Sequence, residues 1–271
     1  LGIQTLAPVL RRHGHPVRMF DTCHPEMTEQ HIADAVSRDR PDVIGLSFLS
    51  TTTYPAAKRM ARRLKSVAPS IPIIVGGPFA TMNADRILDD CPDIDCVGRG
   101  EGEELLPDYL EHFRQPESVA GLVWRRDGKT VVNAPRPLLR DLDRFPYPDR
   151  TSLPIDYIES LPLDVPAVLS LDKFCTVQTS RGCPYACIYC DIPALGEGRW
   201  RSRSPEHVLG ELQGEGGLAH ARPGPDQDQV PGLDAAQDVV ESRPGSLDDV
   251  FGGGAGGDLV EEPLHPLYLG T

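Results

Sequence analysis

Residues 1 to about 114 repeat one unit, a helix followed by a short apolar strand. The strand candidates at 43–48 and 71–77 are almost wholly apolar, and they follow helix candidates at 26–37 and 54–67. Near-continuous apolar strands alternating with helices are typical of a parallel sheet covered on both faces. The sequence therefore predicts an α/β fold with a doubly wound parallel sheet over residues 1–115. Because the first predicted element is a helix, we expect the first strand of such a sheet to be missing from the chain.

The carboxyl ends of these strands are where such a sheet binds ligands. The loops that leave the two central strands contain small and hydroxylated residues, and their candidate ligand contacts are Ser47, Leu49, Gly76 and Gly77. Small residues let a bulky ligand approach the backbone. No Gly-x-Gly-x-x-Gly joins a strand to a helix, which disfavours dinucleotide binding.

Three cysteines, Cys183, Cys187 and Cys190, follow a strand-like run at 174–179, so that one tight loop can turn all three thiols inward. Structural zinc needs four ligands, and no second Cys-x-x-Cys or His-x-x-x-His pair completes a tetrahedron. A cubane iron–sulfur cluster held by three thiolates keeps one iron open. The spacing therefore favours an iron–sulfur site. The other cysteines are isolated in the sequence, and we expect them to be buried core thiols, as is the default for such positions: Cys23, Cys91, Cys96 and Cys175.

The pattern Cys183-x-x-x-Cys187-x-x-Cys190, with Tyr189 before the last cysteine, resembles the radical S-adenosylmethionine (SAM) enzymes. The resemblance implies a 4Fe-4S cluster whose open iron chelates SAM, and cleavage of SAM to a 5'-deoxyadenosyl radical. It also implies that Tyr189 lies against the adenine, and that a donor such as flavodoxin or ferredoxin supplies electrons. Residues 166–213 would then begin a partial (β/α) barrel.

The Ser-x-Leu loop at 47–49 and the Gly-Gly loop at 76–77 resemble those of cobalamin-binding domains, and the turn at 98–103 resembles that of cobalamin-binding radical SAM proteins. This likeness implies a cobalamin bound by Ser47, Leu49, Gly76 and Gly77, and methyl transfer to an unactivated carbon of a small molecule. Asp-x-His-x-x-Gly, whose His ligates cobalt in many cobalamin enzymes, does not occur. A non-catalytic cobalamin or small-ligand binding module and a methylthiotransferase-like enzyme acting on RNA remain alternatives, as does a scaffold whose cobalamin site is degenerate.

Residues 116–165 are predicted to form a hairpin around Asp127-Gly128, a strong turn signal, and then a Pro-rich linker at 141–150. Beyond the cysteines, Ser204 is a good N-cap for a helix that begins at Pro205. Three arginines lie just before it. They could face an anion, but we expect them to be solvated: Arg199, Arg201 and Arg203.

The formal net charge is −13, and −9 of it lies within residues 214–271. Because the chain is acidic, we do not expect it to bind nucleic acid. The sequence contains no apolar run of membrane-spanning length and no leader, so we expect a cytoplasmic protein that does not contact a membrane. Residues 214–271 contain 12 Gly and 6 Pro and keep no periodicity. We expect a low-complexity tail there, which is either an unusual acidic tail or, as we favour, the product of a translation-frame error near residues 212–214. We expect the 271-residue chain to turn over no substrate productively.

Overall fold

The computed structural model describes residues 2–22, 24, 26–153 and 176–213, and the backbone of 265–269. In the first part of the chain, four strands alternate with six helices. The strands are β1 (Val17–Met19), β2 (Val43–Ser47), β3 (Ile73–Gly76) and β4 (Cys96–Gly98). The helices are α1 (Gly2–Arg12), α2 (Glu29–Asp39), α3 (Tyr54–Val67), α4 (Pro78–Met82), α5 (Ala84–Asp90) and α6 (Gly102–Glu111).

The central strands β2, β3 and β4 are parallel, as predicted. The hairpin is also confirmed. Its strands β5 (Leu122–Arg126) and β6 (Lys129–Val132) turn at Asp127 and Gly128, both with positive φ. Positive φ at both central residues gives a turn whose twist matches that of the strands. Strand β5 pairs antiparallel with β4, so the hairpin extends the main sheet.

A strand from the far end of the chain completes this sheet. Strand β9 (His265–Leu269) lies between β1 and β2 and is antiparallel to both, which gives the order β1-β9-β2-β3-β4-β5-β6. Sequence reasoning did not predict this strand, because its surroundings are rich in Gly and Pro. The rest of the predicted tail, with the expected frame error, lies outside the described residues.

Alternate residues of the central strands face two separate apolar layers. Ile73 and Val75 pack with α2, α3 and α5, whereas Ile74 packs with α1 and α6. This two-sided burial confirms the doubly wound architecture. No helix among the described residues is long and apolar enough to cross a membrane.

Local capping sets the helix boundaries. Helix α2 starts at Glu29 rather than at residue 26, because Thr28 is its N-cap and the Thr28 Oγ1 accepts a hydrogen bond from the His31 N–H at 3.2 Å. Helix α3 spans the predicted residues. The five-residue helix α4 was not predicted, and it follows Gly77 directly.

A second, smaller module contains the cysteines. Strands β7 (Ser180–Arg181) and β8 (Arg201–Ser202) pair antiparallel, and helices α7 (Ile192–Leu195) and α8 (Pro205–Leu212) flank β8. The strand predicted at 174–179 is wrong for residues 176–179, which are irregular; the ladder of β7 with β8 begins at Ser180, although the Thr179 carbonyl accepts a hydrogen bond from the Arg203 N–H at 2.9 Å. The cap of α8 is confirmed, since the Ser204 Oγ accepts a hydrogen bond from the His207 N–H at 3.1 Å.

Candidate functional site

The four residues predicted to contact cobalamin lie together at the carboxyl edge of the sheet. Ser47 and Gly76 are direct partners at the end of the β2–β3 ladder, and the Phe48 N–H donates to the Gly76 carbonyl at 3.3 Å. Leu49 and Gly77 follow immediately, and all four are half-buried. The structure therefore brings these residues to one surface that a ligand can reach.

The two glycines at this edge differ in what they do. Gly77 has φ +104°, and a Cβ there would overlap the Phe48 carbonyl oxygen and lie 3.3 Å from the Phe48 amide nitrogen. Gly77 is thus required for the close approach of the chain after β3 to the chain after β2. A Cβ on Gly76 would meet nothing nearer than the Gly98 carbonyl oxygen at 3.9 Å. The fold therefore does not require glycine at position 76, and the space beside Gly76 is open surface.

An aromatic cluster of Phe48, Tyr54 and Phe79 supports both loops, with ring centroids 5.7–6.0 Å apart. Burial raises the pKa of Tyr54, and its hydrogen bond to the Asp90 carboxylate, 2.7 Å long, raises it further. Sequence reasoning missed this cluster. The sequence did contain a signal for it, because an aromatic residue follows soon after each of the neighbouring strands β2 and β3.

The cysteine loop, residues 182–199, is closed at its base by backbone contacts. Gly182 has φ +85°, and a Cβ there would overlap the Arg199 carbonyl oxygen. On the two strands that flank the loop, Arg181 pairs directly with Arg201. Only glycine allows this closure, because another residue would push the two ends of the loop apart.

Within this loop, Cys187 is exposed and Cys183 and Cys190 are half-buried. The Cys190 N–H donates to the Cys187 carbonyl at 3.2 Å, which makes a turn around Tyr189. A hydrogen bond with Cys187 raises the pKa of Tyr189, whose ring is 88% exposed. Ile188 is fully exposed.

The three thiols share one loop but do not converge on a single point. Within the described ranges, no three His, Cys, Asp or Glu side chains are arranged to hold a metal ion. The donor set nevertheless fits an iron–sulfur cluster, because it consists of three thiols on one accessible loop. Cys91 and Cys96 are buried, which confirms their predicted core role, whereas Cys23 and Cys175 lie outside the described residues.

The cysteine loop is docked on the carboxyl edge of the sheet, which we call the ligand edge because the predicted cobalamin contacts lie there. Helix α7, which follows the third cysteine, contacts α4, which follows Gly77. At the base of the loop, Arg181 binds Glu101 at 3.2 Å and Glu103 at 2.5 Å, and Arg201 binds Glu101 at 2.7 Å. Glu101 lies in the turn that links β4 to α6, and Glu103 lies in the first turn of α6. The turn therefore serves as a contact between the two modules.

The expectation of solvated arginines is confirmed for Arg199, which is 61% exposed, and is wrong for Arg201 and Arg203. Arg203 binds the fully buried Glu211 of α8 at 2.5 Å, and Arg150 of the linker binds the same carboxylate. Glu101 lies 100 residues from Arg201, so sequence spacing carried no signal of that partner, whereas Glu211 lies only eight residues after Arg203.

Comparisons with known proteins agree with this geometry. Residues 1–110 match the family model described as the B12 binding domain. An uncharacterized methyltransferase from Pyrococcus horikoshii is 33% identical over 215 residues, which span 78% of this chain and 44% of that protein. An anaerobic magnesium-protoporphyrin IX monomethyl ester cyclase from Synechocystis sp. is 29% identical over 78% of this chain and 41% of the relative. A hopanoid C-3 methylase from Methylococcus capsulatus is 29% identical over 79% of this chain and 39% of the relative.

A solved structure has a similar fold. The radical S-adenosylmethionine methyltransferase TsrM from Kitasatospora setae, with tryptophan substrate and a SAM analogue bound, superposes with a TM-score of 0.63 at 16% identity. The match covers 78% of this chain and 42% of that chain. This chain thus spans less than half the length of the proteins it resembles.

Proposed function

This chain belongs to the cobalamin-binding radical SAM proteins, and we propose that its activity is methyl transfer from SAM to an unactivated carbon of a small molecule. The observation that carries the proposal is the contact of α7 with α4, since it sets the cysteine loop beside the ligand edge of a B12-binding fold. When bound, a reduced 4Fe-4S cluster supplies the electron that cleaves SAM, and cobalamin supplies a carrier for the methyl group.

Each group of residues has a distinct role in the proposal. Cys183, Cys187 and Cys190 would hold the cluster on the accessible loop, and the exposed Tyr189 ring offers a flat surface for the adenine of SAM. Ser47, Leu49, Gly76 and Gly77 would border cobalamin. Gly76 admits the ligand close to the backbone, and Gly77 keeps the two strand ends together.

The printed names of the relatives favour methyl transfer but include a second reaction. Two of those compared are a methyltransferase and a methylase, whereas one is a cyclase that forms a ring in a magnesium porphyrin ester. Ring closure is therefore the second candidate. For either reaction we propose a small-molecule substrate, an electron donor such as flavodoxin or ferredoxin, a cytoplasmic location, and neither nucleic acid nor membrane as partner.

Anaerobic reconstitution of the full chain tests the cluster. We expect about four irons per chain and an EPR signal on reduction that changes when SAM is added, as an open iron requires. Cys187→Ala should abolish the signal. Cys91→Ala is the matched control and should keep it, because Cys91 lies in the core away from the loop. Stoichiometric zinc without iron in the wild type would overturn the assignment.

Titration with hydroxocobalamin tests the second cofactor. We expect a shift of its visible spectrum and protection of the β2 and β3 ends from proteolysis. Gly76→Leu should remove both effects, because its side chain would occupy the open surface while its Cβ meets no neighbour within 3.9 Å. Gly2→Leu adds the same bulk at an open position of α1 and should change neither. An unchanged spectrum with the wild type would favour the scaffold with a degenerate site.

SAM labelled with deuterium in its methyl group separates the two candidate reactions. Under reducing conditions with both cofactors loaded, methyl transfer yields S-adenosylhomocysteine in addition to 5'-deoxyadenosine. Ring closure yields 5'-deoxyadenosine alone. Mass spectrometry should therefore find S-adenosylhomocysteine, with the deuterated methyl group outside SAM, only if the methyl group is transferred; 5'-deoxyadenosine alone does not distinguish ring closure from uncoupled cleavage of SAM.

A further inference from the structure

The base of the cysteine loop contains a pairing that should destabilise it. Arg181 of β7 and Arg201 of β8 are direct cross-strand partners in a ladder only two residues long on each strand. Like charges directly opposite each other in an antiparallel pair repel. Both side chains are also largely buried, with exposures of 20% and 11%. An isolated hairpin with this pair would not be expected to stay closed.

Two carboxylates of the B12-binding domain remove the repulsion. Glu101 lies between the two arginines, with one oxygen 3.2 Å from Arg181 and the other 2.7 Å from Arg201. Glu103 binds Arg181 from a second side at 2.5 Å and is itself 5% exposed. The four side chains together carry no net charge, so their burial is electrostatically balanced.

Backbone groups hold Glu101 in place. The Leu139 N–H donates to its second oxygen at 2.8 Å, and Arg201 also donates to the Leu139 carbonyl at 2.6 Å. Burial raises the pKa of Glu101, but hydrogen bonds from Arg201 and the Leu139 N–H outweigh it and keep the pKa below its ordinary value. The carboxylate is therefore charged and oriented at neutral pH.

The position of this network relates it to the cysteines. Arg181 immediately precedes Gly182 and Cys183, and Arg201 follows the Arg199 carbonyl that packs on Gly182. Both ends of the loop are thus attached to the turn after β4. That turn lies at the same edge of the sheet as the ends of β2 and β3.

We infer that Glu101 and Glu103 are positioning residues for the cysteine loop: acting through Arg181 and Arg201, they close its base and hold it at the ligand edge of the sheet. The interpretation of this loop as the cluster site rests on the proposed function. The docking itself involves only side chains of this chain. It can therefore be tested without any cofactor.

Hydrogen exchange of the full chain without cofactors is the primary test. The reporters are hydrogen-bonded amides of two kinds: the Arg203 N–H beside the base of the loop, bonded to the Thr179 carbonyl at 2.9 Å, and the Arg199 N–H within the loop, bonded to the Gly196 carbonyl at 2.8 Å. We expect Glu101→Gln and Glu103→Gln to speed their exchange by about tenfold or more, because each variant opens the loop locally. Amides of β2 and β3 should keep their wild-type rates, which shows that the domain remains folded.

Glu104→Gln is the matched control. Glu104 neighbours Glu103 on α6, but it binds Arg144 and Arg136 rather than the arginines of the loop. This variant should leave exchange within residues 180–203 unchanged. If Glu104→Gln accelerates loop exchange as much as Glu103→Gln does, then the loss of any charge on α6 is sufficient to open the loop, and the inference is wrong.

A double-mutant cycle tests whether Glu103 acts through Arg181. In the Arg181→Gln background, Glu103→Gln should have little further effect on loop exchange, because the interaction is already gone. Additive effects of the two substitutions would refute the coupling. Wild-type exchange rates in both single glutamate variants would refute the docking role altogether.

Iron reconstitution then links docking to the cluster. We expect Glu101→Gln to bind iron but to show a weaker or altered SAM-induced EPR change, and Glu104→Gln to match the wild type. If the wild type assembles no cluster, the proposed function fails while the exchange results still decide the docking. If the cluster and its SAM response are unchanged in Glu101→Gln despite faster exchange, the carboxylates dock the loop without positioning the cluster.

Discussion

Substituting Gly77, the second glycine of the Gly-Gly loop, should destabilise the fold whatever its effect on cobalamin binding. Gly77 has φ +104° and ψ 174°, a region that is nearly exclusive to glycine and costs other residues about 1–3 kcal/mol. The Cβ of Gly77→Ala would also overlap the Phe48 carbonyl oxygen, and relieving such an overlap by backbone movement costs about 1–3 kcal/mol. We therefore expect a loss of about 2–6 kcal/mol in the free energy of unfolding.

Urea unfolding followed by circular dichroism measures this loss. With a slope of about 2 kcal/mol per molar urea, the midpoint should fall by about 1–3 M. Gly76→Ala is the matched control, and since its Cβ meets nothing nearer than 3.9 Å, its midpoint should stay within about 0.5 M of the wild type. Equal midpoints for Gly77→Ala and the wild type would refute the argument that Gly77 is required by the backbone. Loss of cobalamin binding in a Gly77 variant is therefore ambiguous, and Gly76 is the residue to vary.

Three further predictions concern other parts of the chain. Burial raises the pKa of Cys96 to about 12, so at pH 8 only about one Cys96 thiol in 10⁴ is ionised. Iodoacetamide should therefore label the exposed Cys187 and spare Cys96 until the chain unfolds, as measured by mass spectrometry. Ser204→Ala should destabilise α8 by about 1 kcal/mol, seen as faster exchange of its first amides, whereas unchanged exchange would mean that the Ser204 cap contributes nothing. The pKa of Glu101 is lowered in the folded chain, so its contribution to loop docking should be complete above the ordinary glutamate pKa of about 4.3 and should disappear as the pH falls through the lowered value. Hydrogen exchange of the loop, corrected for its intrinsic pH dependence, should show this loss. Docking that weakens between pH 7 and pH 5 would contradict the prediction.

Local patterns predicted much of the fold. The bounds of α3 follow from its apolar spacing and from Pro55 at the first turn, and the hairpin follows from Asp127-Gly128, whose residues adopt positive φ readily. The loops after β2 and β3 were expected to meet because parallel strands end at one edge, and Ser47 does pair with Gly76. Signals of this kind depend on a few neighbouring residues, so they can be read from sequence.

Other features depended on distant residues and could not be predicted. Arg201 was expected in solvent, but it binds Glu101, which lies 100 positions earlier in the chain. The buried arginine is stable only because that carboxylate occupies the same place, and no spacing rule relates the two. Likewise, the strand-like run at 174–179 predicted a strand, yet residues 176–179 are irregular and the ladder with β8 covers only Ser180 and Arg181. The roles of the candidate cobalamin and cluster residues remain predictions.

The ion pairs between the modules limit how enzymes of this kind can be recombined. Arg181 reaches Glu101, Asp143 binds the Ser204 amide at 3.0–3.1 Å, and Arg150 reaches the buried Glu211. A chimaera joined at residue 165 would separate all three pairs of partners, and one joined at residue 115 would separate Arg181 from Glu101. A cluster module taken from a relative would then present arginines without their carboxylates. Exchange of domains should succeed only when the turn after β4 and the linker are transferred with the cysteine loop, so that these two segments and the loop are inherited as one unit.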